Sequence, residues 1–161
     1  MSSKDLKAGN RAPAFSLPST EGRKISLKDF SGKKDVVLFF YPKDDTPGCT
    51  KEACSFRDEA SRFSARGAVV LGVSLDGLES HEKFSKKYGL PFPLLSDEDA
   101  AVSKAYGTYK EKNMYGRKFW GIERTTFLIG TDGKIKDIFH KVKVDGHSDD
   151  VLEALSKAGK G

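Results

Sequence analysis

Apolar residues along this chain fall into two kinds of block, and the difference between them predicts an alternation of strands and helices. Residues 36–40 (VVLFF) and 68–73 (AVVLGV) are unbroken apolar runs, as in strands buried on both faces. Between them, Ala53, Phe56, Ala60 and Phe63 recur at helical spacing, which predicts a helix over residues 49–65 with one core-facing stripe. Phe84 and Tyr88, one turn apart before Gly89-Leu90-Pro91, predict a helix over 80–88, and a shorter one is expected over 98–105 before Gly107. Two alternating runs, 125–129 and 134–140, flank Thr131-Asp132-Gly133, a strong hairpin signal. Ser148 suits the N-cap of a last helix that buries Val151, Leu152 and Leu155. A ribbon is expected near residues 15–17 and 24–27, turning at Thr20-Glu21-Gly22, whereas residues 109–121 show no period and read as a long loop. The sum is an α/β domain, a mixed central sheet with helices on both faces.

Composition narrows the class. The 161 residues, 37% hydrophobic and 32% charged, suit one domain spanning residues 1–161 with a core that needs no staples. No apolar run approaches the roughly 20 residues of a membrane span. The opening MSSKDLKAGN lacks the apolar segment of a secretory signal. The expectation is therefore a cytoplasmic protein, or one from an organelle stroma whose leader has been removed. The net charge of +5 is spread through pairs such as Lys33-Lys34 and Lys86-Lys87 among acidic residues, so no nucleic-acid footprint is expected.

Two cysteines, Cys49 and Cys54, are too few for a disulfide scaffold. His81, His140 and His147 have no ligand-like spacing to them, so no metal is expected. Cys49 lies where the Pro/Gly-containing loop 42–48 enters a helix. Free N–H groups and the positive end of the helix dipole favour thiolate there and make the sulfur nucleophilic. Pro47-Gly48 keeps the approach open, and the hydroxyl of Thr46 is able to turn toward the sulfur and an incoming oxygen. Cys54 is ambiguous, since its helical position also suits an inert core residue. On an ideal helix, residues five apart have Cα atoms ~8.6 Å apart on different faces, beyond the ~7 Å that a disulfide tolerates. If Cys49 and Cys54 bond, the first turns of the helix must unwind.

The segment resembles the peroxiredoxins, whose active-site pattern Pro-x-x-x-Thr/Ser-x-x-Cys is met by Pro42, Thr46 and Cys49. The longer string DDTPGCTKEAC resembles the peroxiredoxin Q class, also called bacterioferritin comigratory proteins. Many of its members carry a second cysteine five residues on, where Cys54 stands. The similarity runs from Ala12-Pro13-Ala14-Phe15 to the final helix, and Arg124 in ERTTFLI matches the family's later arginine. The resemblance implies a thioredoxin-like fold and a thiol peroxidase. Cys49 would be oxidised by hydrogen peroxide or an organic hydroperoxide, and Cys54 would resolve it as an intramolecular disulfide. Arg124 would stabilise thiolate and polarise peroxide, Thr46 would bond the peroxide oxygens, and Pro42 would shield the pocket. Glu52 would orient Arg124 or, as an exposed helix acid, do nothing. Thioredoxin or a similar reductant would recharge the disulfide, with no bound cofactor and no partner chain, in keeping with a monomer. The alternatives are a one-cysteine peroxidase and a redox switch or holdase using the same disulfide. A thioredoxin-type oxidoreductase is disfavoured, because the cysteines are spaced C-x-x-x-x-C and not C-x-x-C.

Overall fold

The computed structural model describes residues 6–158. It opens with an antiparallel ribbon of β1 (Ser16–Pro18) and β2 (Lys24–Ser26), followed by a 3₁₀ turn at Leu27–Phe30. The apolar run then becomes β3 (Asp35–Phe40), which leads through the loop 41–46 into helix α1 (Pro47–Asp58) and α2 (Ala60–Ala65). After β4 (Ala68–Ser74) come α3 (Leu78–Tyr88), β5 (Leu94–Ser96) and the short α4 (Ala101–Ala105). A hairpin of β6 (Tyr109–Met114) and β7 (Arg117–Ile122) precedes β8 (Thr125–Ile129), β9 (Ile135–Phe139) and α5 (His147–Ala158).

The main sheet has the order β5-β4-β3-β8-β9. The first three strands are parallel, and β8 and β9 run antiparallel to their neighbours. β3 is central, and its alternation explains why every residue from Val36 to Phe40 is apolar. Val37 and Phe39 point into one core with Phe56, Phe63, Phe84, Val151 and Leu155, under α1, α2, α3 and α5. Val36, Leu38 and Phe40 point into a second core with Phe15, Leu17, Ile25 and Tyr106, beneath the ribbon and α4. Phe39 stacks on Phe56 with ring centroids 4.8 Å apart, which ties the second half of α1 to the sheet. The same ring explains Gly72 on β4: a Cβ there would sit 2.8 Å from Phe39 Cζ and 2.9 Å from Leu94 Cδ2.

Several elements differ from expectation. The helix expected over 49–65 starts two residues earlier and breaks at Glu59, whose φ of −104° and ψ of 8° cannot continue the ladder. The helix expected over 98–105 is shorter, beginning at Ala101 after Ala100 in a left-handed conformation. Ser148 lies inside the final helix, which begins at His147, and its hydroxyl meets that of Ser55 instead of capping. The stretch 109–121 is a hairpin; most of its residues are solvent-exposed on both faces, so the alternation that marks a half-buried strand is missing. No helix among the described residues is long and apolar enough to cross a membrane.

Candidate active site

Register brings together residues that are far apart in sequence. Phe40, the last residue of β3, pairs with Thr125, the first of β8. Arg124 therefore emerges at the end of the sheet where β3 hands the chain to the loop and α1. Pro47, Gly48 and Cys49 are the first three residues of α1 after its cap, Thr46. The first bond of the helix runs from the Thr50 N–H to the Thr46 carbonyl, 2.8 Å. The Gly48 and Cys49 amides thus lack intrahelical partners, and the positive end of the helix dipole lies at the thiol.

Cys49 is 1% exposed. Arg124 Nη2 donates to its Sγ at 3.3 Å, and Arg124 Nη1 donates to Glu52 Oε1 at 2.7 Å. One guanidinium thus bridges a sulfur and a carboxylate three residues apart on α1, a task for a planar fork of donors. Glycine at position 48 leaves room for the bridge, since a Cβ there would lie 3.1 Å from Arg124 Nη2. Glu52 is not the exposed helix acid of the alternative expectation but is 1% exposed. Its second oxygen, Oε2, has no hydrogen-bond partner. Burial outweighs the attraction of Arg124 and pushes the Glu52 carboxyl up to about 7. Burial also works against the Arg124 charge, but Glu52 and Cys49 overcome it and leave the guanidinium above its ordinary value.

The loop before α1 is held by a buried polar scaffold. Asp44 accepts hydrogen bonds from the hydroxyls of Tyr41 (2.5 Å) and Ser80 (2.8 Å), and meets His81 Nδ1 at 2.7 Å. Its N–H donates to Asp76 Oδ2 at 2.8 Å, and His81 Nε2 donates to the Leu95 carbonyl at 2.9 Å. Burial and the Asp44 carboxylate push the Tyr41 phenol upward, so it remains a donor. Asp44, Asp76 and His81 bring ligand atoms within 4.8 Å of one another. Both ring nitrogens of His81 are already engaged, so the cluster serves as an anchor between the loop and α3. Sequence reading missed this anchor because its members are 37 residues apart and carry no spacing signal.

Thr46 differs in detail from expectation. Its hydroxyl donates to the Lys43 carbonyl at 2.8 Å and not toward the sulfur, leaving the oxygen free to accept. Pro42 is half-buried at the start of the loop. Cys54 is half-buried on the same intact helix as Cys49, and both thiols are free. Lys112 on β6 is half-buried, and burial together with the charge of Arg124 holds its ammonium below the ordinary value, so the hairpin lies within electrostatic reach of the site. His147 is wedged edge-on against Phe56 and Phe139, with Nε2 2.8 Å from the Thr126 hydroxyl. Burial lowers its pKa to about 4, so it is neutral at pH 7.

Comparison with known proteins identifies the family. Residues 8–138 match the AhpC/TSA family. A putative peroxiredoxin bcp of Coxiella burnetii is 55% identical over 150 residues, covering 93% of this chain and 99% of that protein. Peroxiredoxin Bcp of Bacillus subtilis is 43% identical over 150 residues, covering 93% and 95%. A Xanthomonas campestris bacterioferritin comigratory protein, solved as trapped intermediate and ligand complexes bearing on alkyl peroxide reduction, superimposes with a TM-score of 0.88 at 42% identity. That match covers 95% of this chain and 99% of the other. The chain therefore belongs to the AhpC/TSA family and is a thiol peroxidase of the peroxiredoxin Bcp type, with a thioredoxin-like fold.

Proposed function

We propose that Cys49 is the residue that attacks the peroxide and Cys54 the one that resolves it. The observation carrying this reading is the Arg124 Nη2 contact with Cys49 Sγ at 3.3 Å, at the open N-terminus of α1. A cation and free helix amides around one sulfur stabilise negative charge there and on a departing oxygen.

In the first step the Cys49 thiolate attacks one peroxide oxygen. The O–O bond breaks, a sulfenic acid forms, and the departing hydroxide or alkoxide takes up a proton to leave as water or an alcohol. In this reading the Thr46 oxygen accepts from the peroxide hydroxyl, and Pro42 limits water at the loop. In the second step Cys54 sulfur attacks the Cys49 sulfur, the S–O bond breaks, and water leaves with a disulfide behind. This step requires α1 to open, since both cysteines lie on one intact helix and residues five apart on a helix hold their Cα atoms ~8.6 Å apart. Opening is cheap in apolar terms. The buried residues before Phe56 are Cys49, Glu52 and Ala53, two small side chains and one carboxylate that gains solvent. A dithiol protein such as thioredoxin then returns both sulfurs to thiols by exchange.

Hydrogen peroxide and organic hydroperoxides are the substrates of this reading, in a monomer working in the cytoplasm. Consumption of peroxide coupled to thioredoxin and its reductase tests it. Cys49→Ser should abolish turnover; a Cys49→Ser protein that still cycles would overturn the assignment.

A further inference from the structure

The large exposed apolar side chains among the described residues are Met114, Tyr115, Phe119 and Trp120. All four sit on the β6–β7 hairpin, with Tyr115 at its tip 99% exposed. The ribbon forms its own two-stranded sheet outside the main one. Register separates its faces: Lys112 opposes Phe119 and Met114 opposes Arg117 on one, while Glu111 opposes Trp120 on the other. Trp120 stacks on Tyr109 at 5.6 Å, which stiffens the ribbon. Two strands alone are marginal in water, and an apolar tip gives such an arm nothing to pack on. A clustered exposed patch of this kind marks an interaction surface.

The arm is also basic. Lys110, Lys112, Arg117 and Lys118 face only Glu111 within residues 109–122. Among the described residues, Lys112, Arg117 and Lys118 have no ion-pair partner; Lys110 is paired with Glu123. The hairpin runs into the active site, since β7 ends at Ile122 and Arg124, two residues on, touches Cys49 Sγ.

We propose that the tip of the β6–β7 hairpin is the docking arm for the protein reductant, inserting against an acidic, partly apolar surface around the reductant's thiol with Lys118 and Trp120 on one face, Arg117 on the other and Tyr115 at the end. The inference rests on the two-cysteine peroxidase reading, in which a dithiol protein reaches a disulfide beside this arm. Aromatic residues with a polar rim are the usual anchors of such interfaces, and rim charges mainly accelerate association. The chemistry at Cys49 does not involve these four side chains.

Two variants test the arm independently: Tyr115→Ser with Trp120→Ser, and Arg117→Glu with Lys118→Glu. Each is assayed with an acidic bacterial thioredoxin and its reductase, and separately with dithiothreitol, and oxidation of Cys49 by hydrogen peroxide is followed in a single turnover by rapid quench and mass spectrometry. The arm predicts an apparent KM for thioredoxin raised about tenfold or more in both variants, and a salt dependence weakened in the charge-reversed one. Dithiothreitol-driven turnover and the single-turnover rate should remain as in the parent. If the aromatic variant fails to fold, the charge-reversed one decides. An unchanged KM overturns the proposal, as does equal loss with thioredoxin and dithiothreitol. Parent protein that sediments with phosphatidylglycerol vesicles, or dimerises on gel filtration through these residues while its thioredoxin KM ignores them, also overturns it by assigning the arm elsewhere. Failure of the parent protein to form a disulfide at all would instead remove the two-cysteine reading beneath it.

Discussion

Glu52→Gln isolates the energetic device that readies α1 to open. The buried Glu52 carboxyl titrates at about 7 instead of 4.5, with the attraction of Arg124 already included. An acid held above its ordinary range stays protonated in the folded chain where the unfolded chain has ionised. Its contribution to stability is therefore greatest below 4.5 and is lost as pH rises through about 7. A displacement of that size corresponds to on the order of 3 kcal/mol. Glutamine mimics the protonated form: its carbonyl accepts from Arg124, and its amide takes the place of the partnerless Oε2. At pH 8 the variant should hold α1 closed more tightly, by an upper limit of roughly a hundredfold in the opening equilibrium. Opening precedes resolution, so Cys49–Cys54 disulfide formation should slow toward that factor, and sulfinic acid on Cys49 should build up in excess peroxide. At pH 5 the two proteins should behave alike. Rapid-quench mass spectrometry at both pH values reads disulfide and sulfinic acid together. A variant that forms its disulfide at the parental rate at pH 8, or faster, would show that the buried Glu52 charge does not promote opening of α1.

Other perturbations follow from the same geometry. Arg124→Lys should slow Cys49 oxidation by about a hundredfold, because a single ammonium nitrogen does not reproduce the planar fork that spans Sγ and Glu52; stopped-flow peroxide kinetics reads this, and near-parental rates would contradict it. Gly48→Ala places a Cβ 3.1 Å from Arg124 Nη2, so the guanidinium must shift; peroxide oxidation should slow about tenfold, while melting temperature changes little. Cys54→Ser should still be oxidised once, then accumulate sulfenic acid and fail to turn over with thioredoxin; normal cycling would favour a one-cysteine enzyme. His147, depressed from 6.5 to about 4 by burial, contributes stability that is complete above 6.5 and lost as pH falls through about 4. His147→Asn should flatten that acid limb in urea titrations.

Much of this architecture is legible in the sequence because burial writes itself into hydrophobic pattern. β3 is apolar at every position since it is central and covered on both faces, and the Asp-Gly turn marks β8 and β9. The position of Cys49 where a loop enters a helix is legible because helix starts have a local chemistry, whereas the turn of the Thr46 hydroxyl toward Lys43 is not. Three things are not legible, each for a physical reason. The β6–β7 hairpin hides because it has no strictly buried face. The burial of Glu52 hides because a carboxylate on a helix normally faces water, and only the register pairing Phe40 with Thr125 brings Arg124 over it. The Asp44–His81 anchor hides because it joins the loop before α1 to α3 across tertiary structure.

In the proposed mechanism Cys49 reacts first, and α1 opens to let Cys54 resolve it. Non-reducing mass spectrometry after one equivalent of hydrogen peroxide tests it directly, read alongside backbone hydrogen exchange over residues 47–56. The expected result is a rapid Cys49–Cys54 crosslink within one chain, with protection lost through the first turns of α1 and retained from Phe56 onward. A sulfenic acid on Cys49 with Cys54 still free, or a crosslink between two chains, would contradict it.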